Sequence, residues 1–478
     1  MKRGLEKVDS DNFYNTSHSM TVAVGWERSS HPTATAIGRG YRKNPTKKTI
    51  IKNVFTNLCE LKKTKRNQAM QKNPPTVLML GCFDTKAEDF TYLYQCLSKT
   101  GLQIITLNTG VRGTTEAFPV DLEAAEVASQ TDWTIQQLLD KNDRGIVVEK
   151  MGAGAAKLIT QLVADGKIQG AIGMGGGGGT YIALSAMQGI PIGMPKLCLS
   201  TVASKDLSRQ VGTKDIVLMP SVVDVAGLNS VSRLLISQAA GAINGMIQNS
   251  QIAQADKVGT IAISIFGNTT PCVEKCTEIL KEKGYEVLAF HSVGTGGLVM
   301  ESLIREGFFD GVLDITTTEL ADDLCEGICS AGPDRLTAAS QKGIPQVVVP
   351  GCLDMVNYGH LDTVPERFKS RNLYSWAPDV TLMRTNAAEN KILGESIANK
   401  LNQSTGKVSV LLPLKGISIV SSEGGVFYDP EVDALLFDTI KKKVQAAIPV
   451  TEVAANINDP IFAEKAVKLL LGMIGEEI

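Results

Sequence analysis

Gly175 to Gly179, five consecutive glycines followed by Thr180, are the residues whose type and spacing point most directly to chemistry. Glycine costs roughly 0.5–1 kcal/mol per residue relative to alanine in regular structure. A run of five is therefore expected where something must approach the backbone closely. Upstream, Ile168 to Met174 reads as a short buried strand, and downstream Tyr181 to Met187 is compatible with a helix. The glycines then fall on a strand-to-helix turn, where free backbone N–H groups and the positive end of a helix dipole suit a phosphate. A flexible surface loop is the other reading, although linkers seldom lie between two apolar runs. The run is not a Walker A loop, because Thr180 follows Gly179 with no lysine between them. G-x-G-x-x-G matches from Gly173, but any glycine run satisfies that pattern.

Other candidates lie at equivalent places along the chain. Gly81-Cys82-Phe83-Asp84-Thr85-Lys86 ends one strand and begins a helix, the position at which open α/β sheets bind ligands. Asp84 or Thr85 there can cap the helix, touch a ligand, or both. His291 adjoins the turn Gly294-Thr295-Gly296-Gly297, and Asp314, Glu319, Asp322 and Asp354 are the nearest carboxylates. A His291–Asp314 pair would serve as acid and base, or hold a magnesium-bound phosphate. The plainer alternative has His291 hydrogen-bonded within its loop and Asp314 capping a helix. No G-x-S-x-G elbow is present.

The elements that must position these residues follow from the pattern of the chain. A length of 478 residues is expected to form two or three domains, and 43% hydrophobic with 21% charged residues is ordinary globular composition. The net charge of −2 conceals an asymmetry: residues 1–73 carry 15 Lys/Arg against 5 Asp/Glu, and the rest 33 against 45. Residues 1–73 read as a basic, disordered extension with a short helix over Asn53 to Gln71. The acidic remainder argues against a nucleic-acid-binding face. Nine scattered cysteines, among them the close pairs Cys272/Cys276 and Cys325/Cys329, fit reduced thiols better than metal ligands. No run of 18 apolar residues and no secretory leader is seen, so the expected setting is cytoplasmic and away from membranes.

From Pro74 apolar runs alternate with amphipathic stretches, as in a parallel sheet covered by helices. The pattern then repeats. Thr76 to Thr85 aligns with Thr260 to Thr269, Asp165 to Ile172 with Glu306 to Leu313, and Gly189-Ile190-Pro191 with Gly343-Ile344-Pro345. The first copy carries about 40 extra residues, roughly Thr115 to Ala155. Two α/β lobes by duplication follow, 74–255 and 256–478. Gly175 to Gly177 correspond to Thr316 to Thr318, so the two sets of strand ends are expected to line one cleft. Tyr358 to Pro378 and Gly416 to Asp429 read as loops, Val408 to Pro413 as a late strand and Ile461 to Ile474 as a last helix.

Six motifs together carry a resemblance: Gly81 to Lys86, the glycine run with Thr180, Ser200 to Ser204, Pro220 to Asp224, Phe266 to Pro271 and Leu313 to Glu319. The chain resembles the family of the N-terminal ATP-binding domain of a tomato inhibitor of tobamovirus replication, with its bacterial and fungal relatives. The resemblance implies two Rossmann-like, doubly wound lobes, a homodimer, and ATP bound mainly by the first lobe. It places nucleotide contacts at Asp84, Thr85, Lys86, Gly176, Gly177, Gly178, Gly179 and Thr180, and further ones at Thr115, Met151, Gly152, Ala153 and Gly154. The plant protein continues into a C-terminal TIM-barrel domain that is not expected here, and antiviral activity is not carried over. The leading expectation is an ATP-binding protein with Lys86 on the phosphates and Asp84 or Asp314 on Mg²⁺. The alternatives are an enzyme acting on a small phosphorylated or carboxylated metabolite through His291 and Asp314, and a regulatory binding module without turnover.

Overall fold

Thr76-Val-Leu-Met-Leu-Gly81 is apolar at both odd and even positions, so it is stable as a strand only when both faces are covered. The computed structural model, which describes residues 74–250 and 257–475, shows that arrangement; the extension expected over 1–73 lies outside the described residues. Val77 and Met79 pack with Phe90, Leu93, Ile236 and Ile243, whereas Leu78 and Leu80 face Met151, Ile159 and Ala183.

The first lobe runs β1 (Thr76–Gly81), α1 (Ala87–Ser98), β2 (Gln103–Asn108), α2 (Ala124–Ser129), α3 (Ile135–Lys141), α4 (Arg144–Ala164), β3 (Gly170–Gly175), α5 (Gly177–Met187), β4 (Lys196–Ser200), α6 (Ser208–Val211), β5 (Val217–Pro220) and α7 (Ser230–Gln248). Its five parallel strands lie in the order β2-β1-β3-β4-β5. The chain reverses its winding between β1 and β3. In open α/β sheets the crevice at that switch point, beyond the carboxyl ends of the strands, is where ligands bind.

The second lobe runs β6 (Thr260–Ile265), α8 (Thr270–Glu282), β7 (Glu286–His291), α9 (Thr295–Glu306), β8 (Gly311–Thr316), α10 (Glu319–Cys325), α11 (Ala338–Lys342), β9 (Gln346–Gly351), β10 (Met355–Tyr358), β11 (Leu373–Ala377), β12 (Val380–Arg384), α12 (Ala387–Leu401), β13 (Val408–Pro413), α13 (Pro430–Lys443), β14 (Val450–Val453) and α14 (Pro460–Ile474). Its main sheet, β14-β13-β9-β8-β6-β7, is parallel and repeats the first topology with one strand added. The shared register is exact to the residue at the first pair: β1 meets β2 from Thr76/Gln103 to Gly81/Asn108, and β6 meets β7 from Thr260/Glu286 to Ile265/His291.

Two differences separate the lobes. The insertion anticipated around Thr115 to Ala155 appears as α2, α3 and a 21-residue α4, where the equivalent α9 has 12 residues. In the second lobe, Tyr358 to Pro378 is not simply a loop. It supplies β11 and borders β10 and β12, which form a separate antiparallel sheet ordered β10-β12-β11. Strands of four or five residues are too short to register as period-two patterns; here Tyr, Trp and Thr favour them locally and packing completes them. The lobes touch through Glu306 at the end of α9. Its carboxylate accepts the Ile192 N–H at 2.7 Å and pairs with Lys214 at 2.5 Å.

Candidate functional site

At the carboxyl ends of the first-lobe strands lies a cavity of about 970 Å³. Its floor is the glycine run. Gly175 closes β3, Gly176 is the extended residue before α5, and no side chain caps that helix. The first helical bond of α5 runs from the Thr180 N–H to the Gly176 carbonyl at 2.8 Å, leaving the amides of the first turn without intrahelical partners. The glycines differ in why they are there. A Cβ on Gly175 would sit 2.9 Å from the Gly179 Cα, so Gly175 is needed for packing. A Cβ on Gly177 would meet nothing within 4 Å, so the fold does not require glycine there. Gly178 lies under the Arg144 guanidinium, 3.1 Å from where its Cβ would be.

A second uncapped helix start borders the same cavity. α1 begins after Lys86 with no side-chain cap, so neither Asp84 nor Thr85 caps it. Asp84 instead ties two loops together: its Oδ2 accepts the Arg112 N–H at 2.9 Å, and its buried Oδ1 has no partner. Gly110 makes room for that carboxylate, since a Cβ there would fall 2.2 Å from Oδ1. Lys86, Arg112 and Arg144 line the cavity and form no ion pair among the described residues. Cys82 also lines it, but burial pushes its thiol up, away from thiolate chemistry.

The remaining walls are of two kinds. Leu138 and Leu139 from α3, Val147 and Val148 from α4, and Ile182 from α5 make an apolar side. α4 starts directly beside it, capped by Asp143, whose Oδ1 accepts the N–H groups of Gly145 and Ile146. Opposite, Ser200 ends β4, Thr201 and Ser204 follow it, and Ser221 to Asp224 follow β5. There Val223 N–H bonds to the Ser221 carbonyl at 2.6 Å, a γ-turn that holds Val222 at φ 61° with 78% of its surface exposed. A β-branched residue in that region is strained.

Of the residues expected to contact a nucleotide, Asp84, Thr85, Lys86 and Gly176 to Gly179 meet at this cavity. Thr180 lies beneath it, fully buried, with its Oγ1 2.7 Å from Ser200 Oγ. Thr115 is not part of the lining; its Oγ1 accepts the Ala117 N–H. Met151 to Gly154 belong to the middle of α4, where packing explains the glycines. A Cβ on Gly152 would meet Ser185 at 2.8 Å, and one on Gly154 the Val127 carbonyl oxygen at 2.1 Å. α4 reaches the cavity one to two turns earlier, through Arg144, Val147 and Val148, a displacement that follows from the insertion preceding it. Arg112, Arg144, Leu138, Leu139 and Asn142 had not been singled out. Ser200 to Ser204 and Pro220 to Asp224 had been noted as motifs, and their position at strand ends was the available signal.

The second-lobe candidates do not join this site. Asp314 has no exposed surface and grips Arg335, with Oδ1 to Nη2 at 2.5 Å and Oδ2 to Nη1 at 3.1 Å. Arg335, itself fully buried, also pairs with Glu319 at 2.6 Å and Glu301 at 3.2 Å. Burial alone would lower the Arg335 pKa, but its three carboxylates raise it well above the usual value. Burial likewise pushes Glu319 up, against the pull of Arg335 and of the N–H groups of Gly294 and Gly297. His291 is exposed, its ring 5.6 Å from that of Phe266, and shares no hydrogen bond with Asp314. Thr316 to Thr318 are fully buried. The strand ends of the second lobe therefore do not join those of the first at this cavity, which among the described residues is lined by the first lobe.

Comparison with known proteins adds family context. Residues 75–252 match the N-terminal domain of the uncharacterised protein family UPF0261, and residues 259–474 match its C-terminal domain. A UPF0261 protein of Clostridium tetani is 43% identical over 83% of the chain and 98% of its own length. The ToMV resistance protein Tm-1 of Solanum lycopersicum is 35% identical over 84% of the chain and 56% of its own length. Both UPF0261 domains are present, and these matches lend no support to the expected lack of a C-terminal TIM-barrel domain. Among solved structures, UDP-N-acetylglucosamine 2-epimerase from Rickettsia bellii aligns at 11% identity and a TM-score of 0.20, over 57% of the chain and 78% of its own, too little to carry an argument.

Proposed function

The chain belongs to the UPF0261 family, and we propose that its first lobe binds a nucleotide, ATP, at the switch-point cavity. The observation that carries the reading is Gly177: a glycine with no packing reason, at an uncapped helix start, open to a cavity that also holds three unpaired cations. Phosphates would lie on the Gly176 to Gly179 amides, with Lys86, Arg112 and Arg144 offsetting their charge. The aliphatic wall of Leu138, Leu139, Val147, Val148 and Ile182 suits a base held by apolar contact.

Mg²⁺ finds a less complete set of ligands. Asp314 is committed to Arg335, whereas Asp84 has one oxygen on the Arg112 N–H and the other, packed against Gly110, without a partner. Asp224 remains, exposed at the cavity with its Oδ1 3.9 Å from the Cβ position of Gly176. It would hold the metal together with water and phosphate oxygens. An enzyme using His291 and Asp314 as acid and base lacks support from the geometry, since Asp314 has no free carboxylate oxygen. A homodimer in the cytoplasm completes the proposal; among the described residues no helix is long and apolar enough to cross a membrane.

Calorimetric titration of the 478-residue chain with ATP, with and without Mg²⁺, tests this beside Gly177→Val. The expected result is binding in the parent and at least tenfold weaker binding in the variant, whose fold is unaffected. Absence of binding in the parent would sink the assignment.

A further inference from the structure

We infer that the outer face of α7 is the surface on which a second copy of this chain docks, α7 against α7, antiparallel about a two-fold axis. The inference rests on the homodimer included in the reading above and names its interface. One side of α7, from Ile236 to Ile247, is buried against the first-lobe sheet. Opposite that side run Leu234, Gln238, Gly241 and Gly245, spaced by four, three and four residues and so on one face of the helix. None of them carries a charge. Among the 19 residues of α7 only Arg233 does, and its guanidinium turns aside to lie over the Tyr92 ring of α1 at 5.1 Å. Leu234 has 58% of its surface exposed. A Cβ on Gly241 or Gly245 would meet nothing within 4 Å among the described residues, yet each glycine costs up to about 1 kcal/mol relative to alanine in a helix. The helix in the matching place of the second lobe is α14, which packs on α8 as α7 packs on α1, and it exposes Glu464 and Lys468.

The order of these residues selects the occupant. In two antiparallel helices related by a two-fold axis, residues equally far from the axis on opposite sides of it lie at the same level. With the axis between Ala239 and Ala240, Leu234 falls on the partner's Gly245 and Gln238 on the partner's Gly241. Each large side chain meets a glycine, and the symmetry repeats the fit at the other end, as an isologous contact requires. Bare backbone at those points lets the two helices approach closely enough for the side chains to interlock. Charge selects the same face. Residues 74–478 hold 33 Lys/Arg against 45 Asp/Glu, so two copies repel one another unless they meet where neither carries charge.

The test is sedimentation velocity of the 478-residue chain over a range of concentrations, with melting temperature as the check that each variant is folded. The parent is expected to be a dimer. Gly245→Leu sets leucine against leucine and should raise the dimer dissociation constant at least tenfold; leucine is the better helix former, so the loss cannot come from a weakened α7. Leu234→Gly empties the other half of each contact and should weaken the dimer as well. The double variant exchanges knob and hole across the two-fold and should associate more tightly than either single variant. A monomeric parent overturns the homodimer and this interface together. A parent dimer that Gly245→Leu leaves unchanged overturns the interface and keeps the homodimer, and a folded double variant no tighter than the single ones overturns the pairing of Leu234 with Gly245. Calorimetry of the same samples with ATP reads the nucleotide site separately, and ATP affinity is expected to be unchanged in all of them.

Discussion

At the end of β3 the chain passes through Gly175 to Gly179 into a helix that starts uncapped at an open cavity. At the matching end of β8 it passes through Thr316 to Thr318 into a helix whose Glu319 is ion-paired inside the protein. Both crossovers belong to lobes of the same topology, and each leaves a concavity beyond the strand ends. In the second lobe that space is taken by side chains. Arg335 binds three carboxylates, and Thr269 and Thr316 share a hydrogen bond at 2.6 Å. Ser418, from the segment after β13, bonds to the buried Asp354 at 2.7 Å. In the first lobe the corresponding groups are bare backbone and unpaired cations. One copy of the duplicated unit thus fills its strand ends with side chains, paired except at atoms such as Asn268 Oδ1, Asp354 Oδ1 and Asn357 Oδ1, and the other leaves an open cavity. A polar strand end does not mark a site by itself; what distinguishes the first lobe is that free helix-start amides and cations open onto a cavity.

The comparison breaks most visibly at Arg335. Arg335→Met should cost about 3–5 kcal/mol, because three buried carboxylates lose their partner together. Chemical denaturation measures the loss, and a variant as stable as the parent would remove the claim that charge pairing closes the second crossover. Within the first lobe, Gly175→Ala should cost about 1–3 kcal/mol, since its Cβ meets the Gly179 backbone, which cannot move aside. Gly177→Val should leave the melting temperature nearly unchanged while weakening ATP. If the two substitutions exchanged these effects, the division between packing glycine and ligand glycine would be wrong.

The smallest effect expected is one of pH, confined to the second lobe. Burial pushes Asp322 and Asp433 up to about 7. Each is protonated in the folded state at a pH where the unfolded chain has already lost the proton. The native state then binds more protons, so these groups favour folding at low pH and that contribution is lost as pH rises through about 7. Melting temperature should accordingly fall between pH 5 and pH 8, and the fall should be smaller in Asp322→Asn, whatever the variant's absolute stability. An identical pH dependence in parent and variant would show that Asp322 ionises at its ordinary value.

Much of this was legible in the chain because it depended on local pattern. Continuous apolar runs such as Val77 to Leu80 and Ile261 to Ile263 require burial on both faces, which implies a parallel sheet between helices. The repeat of Thr76 to Thr85 in Thr260 to Thr269 supplied the duplication, and the register of the two strand pairs follows from it. The glycine run announced its turn because alanine is better in any regular element. The short strands β10 to β12 were not legible, and neither was the role of Arg335. A single arginine in Gly-Pro-Asp-Arg335 has nothing nearby in sequence to say that it will be buried among Glu301, Asp314 and Glu319.

The sequence by itself determined the two lobes, their parallel sheets and the place where each helix follows its strand, since periodicity and glycine content act over a few residues. Only the tertiary structure decided which crossover is open. It placed Asp314 against Arg335 and away from His291, turned the Gly152 and Gly154 face of α4 toward its neighbouring helices, and set Arg112, Arg144 and Asn142 around the glycine turn. Those outcomes depend on which distant groups find partners, and a buried charge or an amide is satisfied or left free only once the whole chain has packed.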